Sequence, residues 1–221
     1  MPDLTITLSG WLSFPSFTAA EAYALSQRGQ FPNKDVASSA PHFQLLLSDV
    51  QAERLKEHLI NVFLPHCAEQ FKKGEKRNAL EPAEVKNLIA AVEAGGSDVY
   101  NTPYKTINDK TAALRPDAVA CIKVVGTKGV DMDLRAIVND PTELAVPDPD
   151  RLQFPVILPI NQTAHQMYAG ARVMATVGFY AYKNGKIPGF SASANIVVFK
   201  ADDERFGGGG AIDEDAMFLM D

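Results

Sequence analysis

Cysteine is nearly absent: Cys67 and Cys121 are the only two in 221 residues. Two isolated thiols cannot form a disulfide framework or a paired-thiolate zinc cluster, and they suit a reducing compartment. No apolar run approaches the roughly 18 residues that a spanning helix needs, and no charged-then-apolar leader opens the sequence. The expectation is a cytoplasmic chain with no membrane partner. Also missing are a Gly-Lys-Ser phosphate loop, a nucleophile elbow, a His-Glu-x-x-His pair and a Cys-x-x-Cys pair, which removes the common signatures of catalysis. His58, His66 and Cys67 lie close in sequence, but one helix cannot aim all three at a point. Asp131 and Asp133 could share a cation, yet a solvated turn accounts for them as well. Neither a metal nor a cofactor is expected, and no catalytic residue stands out.

Carboxylates are missing from one long stretch. Residues 151–200 contain no Asp or Glu, five bases and seven of the 19 aromatics. Seven acids and the single base Arg205 lie in 201–221, so these residues carry the whole net charge of -6 and the first 200 are neutral. An acid-free stretch fits either a buried, strand-rich region or an anion-binding face.

The hydrophobic pattern is mostly of period two. Leu4, Ile6, Leu8, Leu12 and Phe14 alternate with Thr5, Thr7, Ser9, Trp11 and Ser13, which predicts a half-buried strand. His42–Leu47, Val119–Val125 and Leu134–Val138 read as further strands. Between them, Ser48-Asp49 opens a helix with Val50, Leu55, Leu59, Val62 and Phe63 on its apolar face. Glu81–Glu93 forms a second, with Pro82 in its first turn and Gly95-Gly96 at its end. The proline-rich stretch 141–159 reads as a loop. The strongest pattern is 171–183: Val173, Ala175, Val177, Phe179 and Ala181 on one face, Arg172, Met174, Thr176, Tyr180 and Tyr182 on the other. Asn184-Gly185 predicts a hairpin turn, with Phe190–Lys200 returning. Thirteen extended residues span about 40 Å, the length of a curved barrel strand rather than an ordinary open-sheet one. The fold expected is mainly β with helical insertions (α+β), a five-stranded partly open barrel.

Single-stranded nucleic acid presents flat bases and a charged backbone, so binding it without sequence preference calls for exposed rings beside Lys and Arg. Tyr180 and Tyr182 share a face with Arg172, and Lys183 and Lys186 flank the turn. Tyr100, Tyr104, Lys105, Lys110 and Arg115 form a second aromatic-basic group, read as loop, and Trp11 is a third candidate. These tyrosines could equally cover a second layer or a protein interface. At the end, Gly207–Gly210 reads as a flexible linker. Asp213, Glu214, Asp215 and Phe218 belong to an acidic-apolar segment suited to occupying a basic groove or docking into a partner.

Tyr168-Ala-Gly-Ala-Arg-Val-Met-Ala-Thr-Val-Gly-Phe-Tyr-Ala-Tyr-Lys-Asn-Gly-Lys-Ile-Pro-Gly-Phe190, followed by Ile196–Gly208, resembles the strand, hairpin and exit segment of bacteriophage single-stranded DNA-binding proteins. That family has an OB-fold core and an acidic C-terminal tail. The resemblance covers 4–206 and is strong from about 99 onward. It implies an OB-fold domain over 1–206 with a helical insertion around 49–94, then a tail over 207–221. It also implies sequence-independent single-stranded DNA binding in phage replication, recombination and repair, in the cytoplasm of the infected host, with no enzyme activity. Tyr104, Lys105, Arg172, Tyr180 and Tyr182 are carried over as DNA contacts, and the tail as a site for replication or recombination proteins. The tail departs from the family pattern where Leu-Met-Asp follows Phe218. Two alternatives remain at this stage: a protein-interaction adaptor, and a barrel-type small-ligand enzyme using Asp131, Asp133 and His165. Homo-oligomerisation is left open.

Overall fold

A computed structural model of the chain describes residues 4–146 and 153–206. The opening alternation becomes β1 (Thr5–Ser16), antiparallel to β2 (His42–Leu47), which pairs along its whole length with β4 (Ala120–Val125). The sharp pattern becomes the thirteen-residue β7 (Arg172–Asn184). The return half of its hairpin is split into β8 (Ile187–Ser193) and β9 (Ile196–Ala201). One edge of β7 takes β1 over Arg172–Gly178, and β8 pairs with Gly178–Asn184. A short parallel contact of β8 with β4, Val124 to Ala192 and Val125 to Ser193, completes the cycle β1-β2-β4-β8-β7. This is a five-stranded, partly open OB-fold barrel.

The sheet continues past the ring. β9 leaves the hairpin to run parallel to β5 (Asp133–Val138), and β6 (Val156–Pro159) pairs with β5 at the outer edge. The proline-rich stretch is therefore not all loop: an edge strand can include a proline because the missing N–H costs it no ladder bond on its open side. β3 (Tyr104–Thr106), expected as loop, pairs with the first half of β4. The hairpin turn is shifted by one residue from Asn184-Gly185. Asn184 still pairs with Ile187, so Gly185-Lys186 make the turn and only Gly185 has positive φ, at 61°.

Helices close one end of the ring. α1 (Ala19–Ser26) lies in the stretch between β1 and β2 and is opened by a Thr18–Glu21 capping box. α2 (Asp49–His58) passes through a π-helical turn at Leu59–Phe63 into α3 (Leu64–Lys72). Pro65, at the start of α3, has no N–H for the previous turn, and the wider turn absorbs that defect. Ala52, Leu55, Leu59, Phe63, Leu64 and Cys67 are all buried, whereas Val50, expected on this face, is 66% exposed. The Phe63 ring lies 5.4 Å from that of Phe179 and 5.5 Å from that of Phe190. The insertion is thus continuous with the barrel core. α4 (Pro82–Glu93) packs on α3 and buries Val85, Leu88 and Val92, and a short α5 (Asp109–Leu114) precedes β4.

Candidate nucleic-acid interface

Because side chains alternate along a strand, the outer face of the ring carries Gln44 of β2, Cys121 and Lys123 of β4, Ser191 of β8, and Tyr180 and Tyr182 of β7. A groove of about 270 Å³ runs over this face, walled by Tyr100, Lys105, Lys123 and Tyr182, with Gln44 and Ser191 in its floor. The far wall is the 97–103 segment. Asn101 forms an isolated bridge with Gly189 and accepts the N–H of Phe190 at 3.0 Å. A Cβ on Gly189 would stand 2.8 Å from Asn101 Cβ and 3.3 Å from the Tyr182 ring, so only glycine lets both settle on the strand. The Tyr180 and Tyr182 ring centroids are 6.2 Å apart, tilted by 40°, and Tyr180 is 41% exposed.

The second aromatic-basic group divides among three places. Tyr100 and Lys105 enter the groove. Tyr104 does not, because one residue of alternation turns it inward opposite Ile122, where it is 1% exposed. Burial first, then Glu53, Cys121 and Asp49, pushes its hydroxyl up to about 12. Its ring belongs to the core and is out of reach of a base. Lys110 is exposed on α5, and Arg115 sits in a different cluster.

That cluster also holds Trp11, which is 6% exposed rather than free for stacking. Its ring packs with Leu46 and Ala118 and lies beneath two guanidinium groups, Arg115 at 5.1 Å and Arg172 at 5.4 Å. Asp203, in the segment that leaves β9, gathers all three. It accepts the Trp11 indole N–H at 3.0 Å, Arg115 at 3.0 Å, Arg172 at 2.8 Å and the Glu204 N–H at 2.7 Å. Burial pushes this carboxyl up, but those four donors outweigh it and hold it well below the usual carboxylate range. Tyr168 secures the same segment, with its hydroxyl 2.9 Å from Asp202 Oδ1 and 3.0 Å from the Asp203 N. Arg172, expected from the sequence as a DNA contact, is thus engaged by an acid of its own chain.

Lys183 is engaged as well. Its ammonium lies 2.7 Å from Glu84 and 3.6 Å from Glu81, at the start of α4, and the Glu84 hydrogen bond, ahead of the other influences, raises its pKa. Lys186 is exposed at the hairpin tip. The tail residues Asp213, Glu214, Asp215 and Phe218 lie outside the described residues.

The two thiols and the residues of the enzyme alternative are each held by their surroundings. Burial pushes the Cys67 thiol up to about 12 and the Cys121 thiol to about 11. Asp131 accepts the Ala19 N–H at 2.9 Å, Asp133 holds Arg135, and His165 stacks on Phe199 with Glu143 3.3 Å from its Nε2. Among the described residues no group of three or more His, Cys, Asp or Glu could hold a metal, and no helix is long and apolar enough to cross a membrane.

No protein-family model matches the chain, and no curated protein matches it. Solved structures do. The single-stranded DNA-binding protein from bacteriophage Enc34 superposes with a TM-score of 0.51 at 14% identity, over 97% of this chain and 90% of that one. Its C-terminal truncation gives 0.50 at 14% identity over 92% and 88%. The same protein in complex with ssDNA gives 0.50 at 13% identity over 92% and 90%. The shared feature is the fold, and it extends across nearly the full length of both chains.

Proposed function

We propose that this chain binds single-stranded DNA by base stacking and phosphate contacts, with little sequence preference and no catalytic step. The observation that carries the reading is the tyrosine pair, Tyr180 and Tyr182, at the edge of a groove that adds Tyr100, Lys105 and Lys123 on the outer face of β2 and β4. In OB-folds that face is where oligonucleotides lie. Rings with lysines beside them match stacked bases and a phosphate backbone, a combination that tolerates any base. The likeness in fold to a phage protein solved in complex with ssDNA supports the same reading. It extends to replication and recombination of phage DNA in the host cytoplasm, with the acidic tail limiting access to DNA and recruiting partner proteins.

The test is titration of a labelled oligo-dT, with a duplex of equal length as control, at several salt concentrations. The single strand should bind in preference to the duplex. Its affinity should fall with salt on a log-log slope of about -0.7 per phosphate contact. If neither form binds at low salt, even with residues 207–221 removed, the aromatic face serves a protein partner instead.

A further inference from the structure

The groove ends at Tyr182, but the tyrosine pair does not. Tyr180 borders a second depression, of about 570 Å³, between the barrel and the helical insertion, with His66, Gln70, Glu75, Arg77 and Asn78 on the helical side and Gly178 in its floor. A Cβ at Gly178 would rest in ordinary van der Waals contact with Thr5 and Ser193, at 3.7 and 3.8 Å, so the floor accepts a side chain without a clash. The two depressions lie on either side of one pair of rings.

The helical wall is held in place. β1 pairs with β7 only as far as Gly178, and beyond it the N–H of Ala181 is taken by Asn78 Oδ1 at 2.9 Å. Asn78 has φ of 55°, the left-handed region that Asn tolerates, and it ties the turn after α3 against the tyrosine strand. That turn is the most basic short segment of the chain: Lys72, Lys73, Lys76 and Arg77 against Glu75 alone in six residues. All four bases are exposed, and no ion pair among the described residues holds any of them, whereas Arg172 and Lys183 are both paired. Arg77 lines the depression with Tyr180, as does Glu75, and Lys72, Lys73 and Lys76 lie within five residues of Arg77 in sequence, so an exposed ring again has an uncommitted cation beside it.

We propose that this second depression binds the continuation of the same single strand, with a base against Tyr180 and the following phosphates along Lys72, Lys73, Lys76 and Arg77. The proposal rests on the single-stranded DNA reading and adds to it a function for the helical insertion: lengthening the site. The experiment compares an oligo-dT of about 5 nucleotides with one of about 16, which bracket the range of site sizes for one such fold. Two variants are used. One replaces Lys72, Lys73, Lys76 and Arg77 by Ala, and the other, Gly178→Leu, fills the floor without touching a charge. The quadruple variant should bind the longer strand at least tenfold more weakly at low salt, with a salt slope shallower by about 2–3. Its affinity for the short strand should stay within twofold of the parent. Gly178→Leu should weaken the longer strand at an unchanged slope. Parental affinity for the longer strand in both variants would overturn the proposal, as would an equal loss on both lengths in the quadruple variant. If the parent itself binds neither strand, it is the underlying DNA reading that fails.

Discussion

The indole N–H of Trp11 donates to the Asp203 carboxylate at 3.0 Å, joining residues 192 positions apart. The bond ties the first strand of the barrel to the segment that leaves β9. The same carboxylate neutralises Arg115, whose side chain is 9% exposed, so removing it strands a mostly buried charge. Asp203→Ala should lower stability by about 2–3 kcal/mol in urea denaturation and shift the emission of the only tryptophan to the red. A change under about 0.5 kcal/mol would show that the cluster contributes nothing net.

The Asp203 carboxyl also sets a pH dependence. Its pKa is depressed in the folded chain, so its contribution is complete above the unfolded value near 4 and is lost as pH falls through the lower folded value. Thermal stability of the parent should decline below about pH 4. In Asp203→Asn this part of the acid sensitivity should be missing, leaving a flatter profile over that range.

The tyrosines separate by depth. Tyr180→Ala and Tyr182→Ala should each weaken oligo-dT binding by about 1–3 kcal/mol while leaving the melting temperature nearly unchanged. Tyr104→Ala removes a ring that is 1% exposed and should cost about 3–5 kcal/mol of stability. Parallel binding and melting curves on the three variants check the assignment. Loss of affinity with undiminished stability in Tyr104→Ala would reverse it.

Four acids, Asp213, Glu214, Asp215 and Asp221, and no base lie in 207–221, so the tail carries -4 of the net charge of -6, and acidic residues tethered to the body invite competition with DNA. Deleting 207–221 should tighten binding at low salt, with the difference vanishing as salt screens the tail. Equal affinities at low salt would remove tail occlusion from the account.

Period-two alternation made β1 and β7 legible from sequence, because half-buried strands of this length leave a pattern that survives interruption, and β4 was legible as a β-branched run. It also assigned sides correctly: Trp11 and Arg172 do share the outer face. What it could not show is what covers that face. The lid over Trp11 comes from Arg115, Ala118 and Phe206, far along the chain, so a ring on the polar side became a buried one. Lys183 was lost to Glu84 of a distant helix for the same reason. β3, β6, α1 and α5 are too short for periodicity to distinguish them from loop. The Lys72–Arg77 segment took no part in the sequence reading, because only the bond of Ala181 to the adjoining Asn78 ties it to the tyrosine strand.

The most direct test of the central claim is photocrosslinking of a bromodeoxyuridine-substituted oligo-dT to the full chain, with the attachment sites mapped by mass spectrometry. The account predicts adducts at Tyr180, Tyr182 and Tyr100, competed away by unlabelled single strand and not by duplex. Adducts confined to the exposed faces of α2 and α4, or none at the tyrosines under conditions where the strand is bound, would contradict it.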